Sequence, residues 1–373
     1  AMIGPMVIRL NSRGEKAVGT AAGMVFAVST IGSILGAFLA GFYLLPYFSL
    51  TQLLNATGLI LVAVGLGGLA VIKSKSLRAM MVLGLVVVIA AWLLPKYQYT
   101  DAYSLKILHQ EQGFYGDLKV TEIAGIKCIT VNGATESCRR TEGELVGSYF
   151  KEIAGMINGL DLKKILVLGS GGGDLLKGGL NAEEVTLVDI DAQLVSLSKK
   201  YLGFDQNEQV YIDDARHFLV KNEGKYDFIF VDLAKGVQPP YYVFSEEGFE
   251  LMKSRLNPGG TVLIHLLGTI GEKDAPVASV IKTAKVIFPS VYPTTSSPDE
   301  NTSYLLHLSL DLNYKVPESK KSDRIFSEAK VDEKLGIILT DDFNPMDINS
   351  IEKSMNLIRI IRNYAGLKGV FSI

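Results

Sequence analysis

Charge is missing from much of the first quarter of this chain. Between Ala17 and Ile72 there is no Asp, Glu, Lys, Arg or His, and a second uncharged run covers Ala79 to Pro95. A helix on the surface of a soluble protein keeps a polar face, so uncharged runs of this length exclude that reading. A membrane span needs roughly 20 apolar residues. The first run is long enough for two spans with a break near Pro46, and Met80 to Leu94 offers a shorter third. No ionisable side chain lies inside the runs, which excludes an ion path through them. Ser29, Ser33, Ala37 and Gly41 recur at four-residue spacing, and small residues at that spacing let helices pack closely in lipid. The runs read as an anchor, not a transporter.

Other absences narrow the function. With 37 basic and 39 acidic residues the net charge is -2, so there is no basic footprint for nucleic acid. The four histidines are scattered (His109, His217, His265, His307), and no cluster has metal-ligand spacing. Only Cys128 and Cys138 carry thiols, on either side of Asn132-Gly133, a strong hairpin turn signal. A two-residue turn sets Cys128 opposite Ser137 and disfavours a disulfide, whereas a three-residue loop reverses that parity. The expectation is reduced thiols. Arg9, Arg13 and Lys16 precede the first span, and Lys73, Lys75 and Arg78 follow the second. By the positive-inside rule both stretches are cytoplasmic, and three spans would put everything after Pro95 outside. The first residue is Ala, not Met, which points to an upstream segment.

What the chain does contain begins near residue 100. "YGDLKVTEIAGIKCITVNGATESC" alternates and turns like a small antiparallel sheet, and "GELVGSYFKEIAGMI" has helical spacing. Strands and helices then alternate: "KILVLGSG", "EVTLVDID", "AQLVSLSKKYLG", "QVYIDDARHFLVK", "YDFIFVDL", "EEGFELMKSRL" and "GGTVLIHLL". Such alternation makes a parallel sheet covered by helices. Residues 311 to 335 are charged and loop-like, and "INSIEKSMNLIRIIRNYAG" closes as an amphipathic helix. The expected domains are a membrane anchor of two to three helices over 1–98, a small β subdomain over 99–140, a catalytic domain over 141–310, and a charged loop with a C-terminal helix over 311–373.

Within the sheet, "VLGSGGGD" follows the first strand directly, and glycines there let a backbone meet a ligand at a helix N-terminus. The second strand ends on Asp189, where a carboxylate suits the two hydroxyls of a ribose. The third ends on Asp214 and Ala215, at an adenine edge, and the fourth on Asp232. Acids that merely cap helices are the alternative, and a dinucleotide enzyme is the nearest functional rival. Acids after the third strand favour an adenosyl-sulfonium donor.

"ILVLGSGGGD", "VTLVDID", "YIDDARHFL", "YDFIFVD" and "LNPGGTVLIHL" resemble the successive motifs of the spermidine synthase family. "FYGDLKV" and "ITVNGATES" are similar to its small β-domain, and the uncharged spans with "LTDDFNP" to a membrane-fused branch of it. The resemblance implies a Rossmann-like class I methyltransferase/spermidine synthase fold, α/β, with a small N-terminal β-sheet subdomain preceded by transmembrane helices. It implies S-adenosylmethionine or its decarboxylated form as donor substrate, and no metal. The donor-pocket candidates are Gly169, Gly171, Gly172, Gly173, Asp174, Asp189, Ile190, Asp214, Ala215 and Asp232. On the acceptor side they are Asp232, Lys235, Tyr241 and Tyr242, with Asp341-Asp342 as a closing segment or an ordinary turn.

Departures from the family pattern shape the rest of the expectation. The second carboxylate after the strand-end Asp is Lys235, the acid of the "Y-H-E" stretch is Lys151, the aspartate of the glycine turn aligns with Gly172, and the donor-binding glutamine with Gly116. Carboxylates offset the desolvation of a polyamine, so two acid-to-lysine exchanges point to an anionic or lipid acceptor reached from the membrane. The expected protein is a multi-pass, membrane-anchored transferase with a cytoplasmic catalytic domain, since its donors are cytoplasmic metabolites, and it is a possible homo-oligomer. The runners-up are a true polyamine aminopropyltransferase using another acid, Glu136 or Asp174, and a non-catalytic adenosyl-nucleotide sensor.

Overall fold

The computed structural model describes residues 8, 15–45, 48, 50–71, 82, 84, 86, 105–140, 142–146, 150–160, 162–233, 239–267, 275–295, 303–317 and 327–346. The chain divides into two compact units, Ala1–Gln98 and Tyr99–Ile373.

In the first unit, helix α1 (Glu15–Leu39) continues through a π-helical turn at Ala40–Leu44. Its apolar stretch Val18–Leu44 is 27 residues long, roughly 40 Å at the helical rise and more than a hydrocarbon layer requires. Phe26, Ile31, Leu35, Phe38 and Phe42 stand exposed along it, a surface suited to lipid. Helix α2 (Leu50–Val71) forms where a second span is expected, but its apolar stretch is the shorter Gln52–Gly65. Gln52, Asn55 and Thr57 place polar groups in its first turns, and the Thr57 hydroxyl donates back to the Leu53 carbonyl. Among the described residues one helix, not two or three, is thus long and apolar enough to cross a membrane. The expected third span lies outside the described residues apart from Val82, Gly84 and Val86, which are helical. The expected C-terminal helix lies outside them as well.

The second unit opens with a four-stranded antiparallel sheet in the order β1-β2-β3-β4, formed by β1 (Lys106–Gln112), β2 (Asp117–Ile123), β3 (Ile126–Val131) and β4 (Ala134–Arg140). The turns at Ala124-Gly125 and Asn132-Gly133 both carry positive φ at both residues, the conformation that two-residue hairpins demand. Leu118, Val120, Ile129 and Val131 alternate onto one face and pack on Leu194, Leu197 and Leu202, which seats this sheet against helix α5 (Ala192–Tyr201) of the larger domain.

The β3–β4 register overturns the expectation of reduced thiols. The turn has two residues as expected, with Val131 opposite Ala134 and Thr130 opposite Thr135. The register then slips, so that Ile129 faces Ser137 and Cys128 faces Cys138. Glu136 is the extra residue of a β-bulge. The slip reverses the parity on which the expectation rested, and Cys128 and Cys138 form a disulfide with their Cα atoms 4.2 Å apart.

The larger sheet has eight strands in the order β12-β10-β11-β9-β8-β5-β6-β7. Strands β5 (Lys164–Leu168), β6 (Glu184–Asp189), β7 (Val210–Ile212), β8 (Tyr226–Val231) and β9 (Leu256–Leu267) are parallel to one another. Strands β10 (Ser290–Thr295), β11 (Ser303–Ser309) and β12 (Ser327–Glu328) extend it antiparallel. Helices α3 (Phe150–Ile157), α4 (Asp174–Lys177), α5, α6 (Ala215–Lys221), α7 (Glu246–Ser254) and α8 (Ala275–Ile287) accompany it. The central strands read as unbroken apolar runs because both faces are covered: Ile165, Val167, Phe228 and Phe230 join one core, and Leu166, Leu168, Ile229 and Val231 the other. From β5 the chain moves outward to β6 and β7, then returns to β8 on the other side. That reversal opens a crevice at the carboxyl ends of β5 and β8.

Protein purified without reductant is expected to hold no free thiol, and replacing both cysteines by alanine should lower stability by about 2–3 kcal/mol for so short a loop. Two alkylatable thiols in the unreduced protein would contradict this pairing.

Candidate active site

The crevice holds a cavity of about 500 Å³, within the usual range for a small-molecule site. Its floor is the turn after β5. Gly169 has φ 89, and a Cβ there would lie 2.1 Å from the Asp232 carbonyl oxygen. Only glycine lets the ends of β5 and β8 come this close. At Gly172 a Cβ would meet Ser137 Oγ at 2.4 Å and Asp174 Oδ1 at 2.9 Å, so the family's aspartate has no room and another carboxylate stands beside its place.

Asp174 is held from behind. It accepts hydrogen bonds from Ser137 Oγ at 2.6 Å and from the Arg139 guanidinium at 3.0 Å. Arg139 is 1% exposed and also donates to the carbonyls of Gly172 and Leu202. Burial nonetheless raises the Asp174 pKa, against the lowering effect of Ser137 and Arg139.

Asp189, at the end of β6, is buried and lines the cavity. Its Oδ2 accepts from Gly171 N–H at 2.8 Å and its Oδ1 from Asp191 N–H at 2.9 Å. Burial raises its pKa, partly countered by those bonds. Asp191 caps α5 through Gln193 N–H and Leu194 N–H, while its Oδ2 is buried with no hydrogen-bond partner. Asp214 caps α6 through Arg216 N–H and His217 N–H, and its Oδ2 accepts from the Tyr242 hydroxyl at 2.5 Å. Burial and Asp214 push the Tyr242 pKa up, so this phenol is a donor. A strap from near the end of the chain steadies this corner, because Arg216 donates to both oxygens of Asp341 and Ser245 to one of them. Asp341 therefore acts behind the cavity wall.

Glu136 enters from the β4 bulge and lines the same cavity. Burial first, then the charges of Asp232, Asp189, Asp191 and Asp174, push its pKa up to about 8. Burial, then Asp191, Asp214 and Asp189, likewise raises the Tyr115 pKa.

Of the residues singled out from sequence, Gly169, Gly171, Gly172, Asp174, Asp189, Ile190, Asp214, Ala215, Asp232 and Tyr242 all line the cavity. Gly173 sits just behind it as the N-cap of α4. Tyr241 is buried in the core, and Lys235 lies outside the described residues. Lys151 is half-exposed and pairs with Glu144 at 3.0 Å; it is absent from the cavity lining, because its helix turns Phe150 inward in its stead. Sequence reading missed Tyr115, Asp191, Arg139 and His265, whose Nδ1 lies 2.8 Å from Asp232 Oδ1. Asp191 had a local signal, two residues past a strand-end acid, and Tyr115 lies within the quoted stretch "FYGDLKV".

Replacing Asp189 by alanine should weaken binding of methylthioadenosine, an adenosyl probe, by about 2 kcal/mol or more through lost charged hydrogen bonds. Calorimetry showing unchanged affinity would remove Asp189 from the ribose site.

Residues 148–306 match the family model described as "Spermine/spermidine synthase domain". The chain is 28% identical over 173 residues to a spermidine synthase of Dictyostelium discoideum, covering 42% of this chain and 58% of that protein. It is 33% identical over 145 residues to a spermine synthase of Arabidopsis thaliana, covering 36% and 40%. The solved spermidine synthase of Thermotoga maritima is similar with a TM-score of 0.46 and 17% identity, over 68% of this chain and 89% of that one. The chain spans 58%, 41% and 67% of three of the curated relatives it matches. The match begins just before α3 and ends within β11, so most of the sheet that carries the cavity is similar to a spermine/spermidine synthase domain.

Proposed function

We propose that this chain transfers the aminopropyl group of decarboxylated S-adenosylmethionine to an amine. One observation carries the reading: Glu136, Asp174, Asp189, Asp191, Asp213, Asp214 and Asp232 line the cavity, and no Lys or Arg does so among the described residues. A decarboxylated donor brings a sulfonium and an ammonium, and an amine acceptor brings further positive charge. Carboxylates offset the desolvation of all of these. Among the described residues that line the cavity, the carboxylate of the intact donor would meet only like charge.

In this reading the adenosine ribose rests on Asp189 and the adenine beside Asp214, Ala215 and Tyr242. Asp232 stands nearest the reacting centre. The acceptor nitrogen lone pair attacks the carbon next to the sulfonium, the carbon–sulfur bond breaks toward sulfur, and methylthioadenosine leaves neutral. The proton that the nitrogen sheds goes to a carboxylate, Asp232 or Glu136. The protein's contribution is position and exclusion of water. Glu136 replaces the acid that the family pattern loses at Lys235, and Lys151 contributes no positive charge to the cavity lining.

A lipid acceptor is the second reading, favoured by Lys235 in the sequence and by the apolar helix Val18–Leu44. The location of the catalytic domain has support on both sides. Donor supply favours the cytoplasm, whereas the disulfide and the loop charges favour an oxidising compartment. The thiol count, made on intact cells with a membrane-impermeant reagent and compared with lysed and reduced protein, separates the two.

The test is incubation with decarboxylated S-adenosylmethionine and putrescine. Equal amounts of methylthioadenosine and aminopropylated product are expected. Adenosylhomocysteine formed from the intact donor would overturn the reading, and no turnover at all would favour the sensor. Because burial and the neighbouring acids push the Glu136 pKa up to about 8, binding a cation below that pH should expel its proton, so donor affinity should rise up to about tenfold per pH unit toward pH 8 and then level. Glu136→Gln should flatten that rise.

A further inference from the structure

The geometry points to His265, held by Ser303, as the residue that positions Asp232. Asp232 follows the last residue of β8, and β8 runs parallel to β9 with Val231 opposite Ile264. His265 is therefore level with Asp232 on the next strand. Its Nδ1 lies 2.8 Å from Asp232 Oδ1, and its Nε2 lies 2.9 Å from Ser303 Oγ at the start of β11. The ring is 8% exposed and the Asp232 side chain 18%. The cavity thus has an acid in its wall, with an imidazole and a hydroxyl stacked behind it on two successive strands.

Hydrogen-bond chemistry sorts the roles. A carboxylate accepts, so Nδ1 carries the hydrogen and donates it to Asp232. In the neutral ring Nε2 is then bare and accepts the Ser303 hydroxyl. Ser303 selects the tautomer, the tautomer supplies the donor, and the donor holds the Asp232 carboxylate in one orientation beside the reacting centre. The inference rests on the proposed role of Asp232. Misplacement by a fraction of an ångström would lower turnover more than adenosine binding.

Two measurements test it. The chain has four histidines, so ¹⁵N imidazole spectra of the full protein are simple to assign with His265→Asn as reference. His265 should show a protonated Nδ1 and an unprotonated Nε2, and Ser303→Ala should shift it toward a tautomer mixture. A His265 signal with hydrogen on Nε2 and none on Nδ1 would overturn the proposal without reference to any reaction. With decarboxylated S-adenosylmethionine and putrescine as probes, His265→Ala should lower kcat at least about tenfold while methylthioadenosine affinity stays within about twofold. His265→Asn, which can place an amide N–H near the Nδ1 position, should recover most of the loss, and Ser303→Ala should lie between. Unchanged kcat in both His265 variants would also overturn it. If the unmodified protein does not turn over these probes, the reaction assigned above fails, and the tautomer alone decides the role of His265.

Discussion

Mutual repulsion among the acids lining one cavity is the constraint on which the rest of the site depends. Two unit charges 4 Å apart repel by about 4 kcal/mol at the effective dielectric of a protein surface, and seven carboxylates line about 500 Å³. Each of those with a defined environment tempers the repulsion differently. Asp189 accepts two backbone N–H groups, Asp191 and Asp214 accept the first N–H groups of helices, and Asp174 has Arg139. Glu136 has its pKa pushed up to about 8 by burial and the neighbouring acids. The site concentrates negative charge in a way that the doubly cationic donor proposed above would relieve.

Capping and ligand binding are not rival explanations for these acids. Asp214 caps α6 with one oxygen and turns the other to the cavity, where it accepts the Tyr242 hydroxyl. The helix termini hold the carboxylates rigidly, and rigid groups give up little entropy when a ligand arrives. Arg139 has a comparable double effect. Its guanidinium ties β4 to the glycine turn through Gly172 and Asp174, so the small sheet and that turn are joined at one buried ion pair. Breaking such a pair by removing one partner leaves a buried charge uncompensated.

The parts legible in the sequence are those set by neighbouring residues. A glycine turn directly after an apolar strand, and an acid at each of three strand ends, are local patterns, and Gly169, Asp189, Asp214 and Asp232 meet where those patterns place them. The parts that were not legible depend on register or on side-chain direction. No local signal marks Glu136 as a bulge, yet that one extra residue pairs Cys128 with Cys138 and reverses the parity of every residue behind it. Lys151 reads as a charge facing the acceptor until the helix phase turns it toward Glu144. His265 is invisible among scattered histidines, because its partners lie 33 and 38 residues away.

The central claim is that the cavity selects positive charge. Titration calorimetry of the unmodified protein with decarboxylated and with intact S-adenosylmethionine, at one pH and low salt, tests it most directly. The account predicts tighter binding of the decarboxylated donor, with the difference shrinking as salt is added because the repulsion is electrostatic. Equal affinity, or tighter binding of the intact donor, would contradict it.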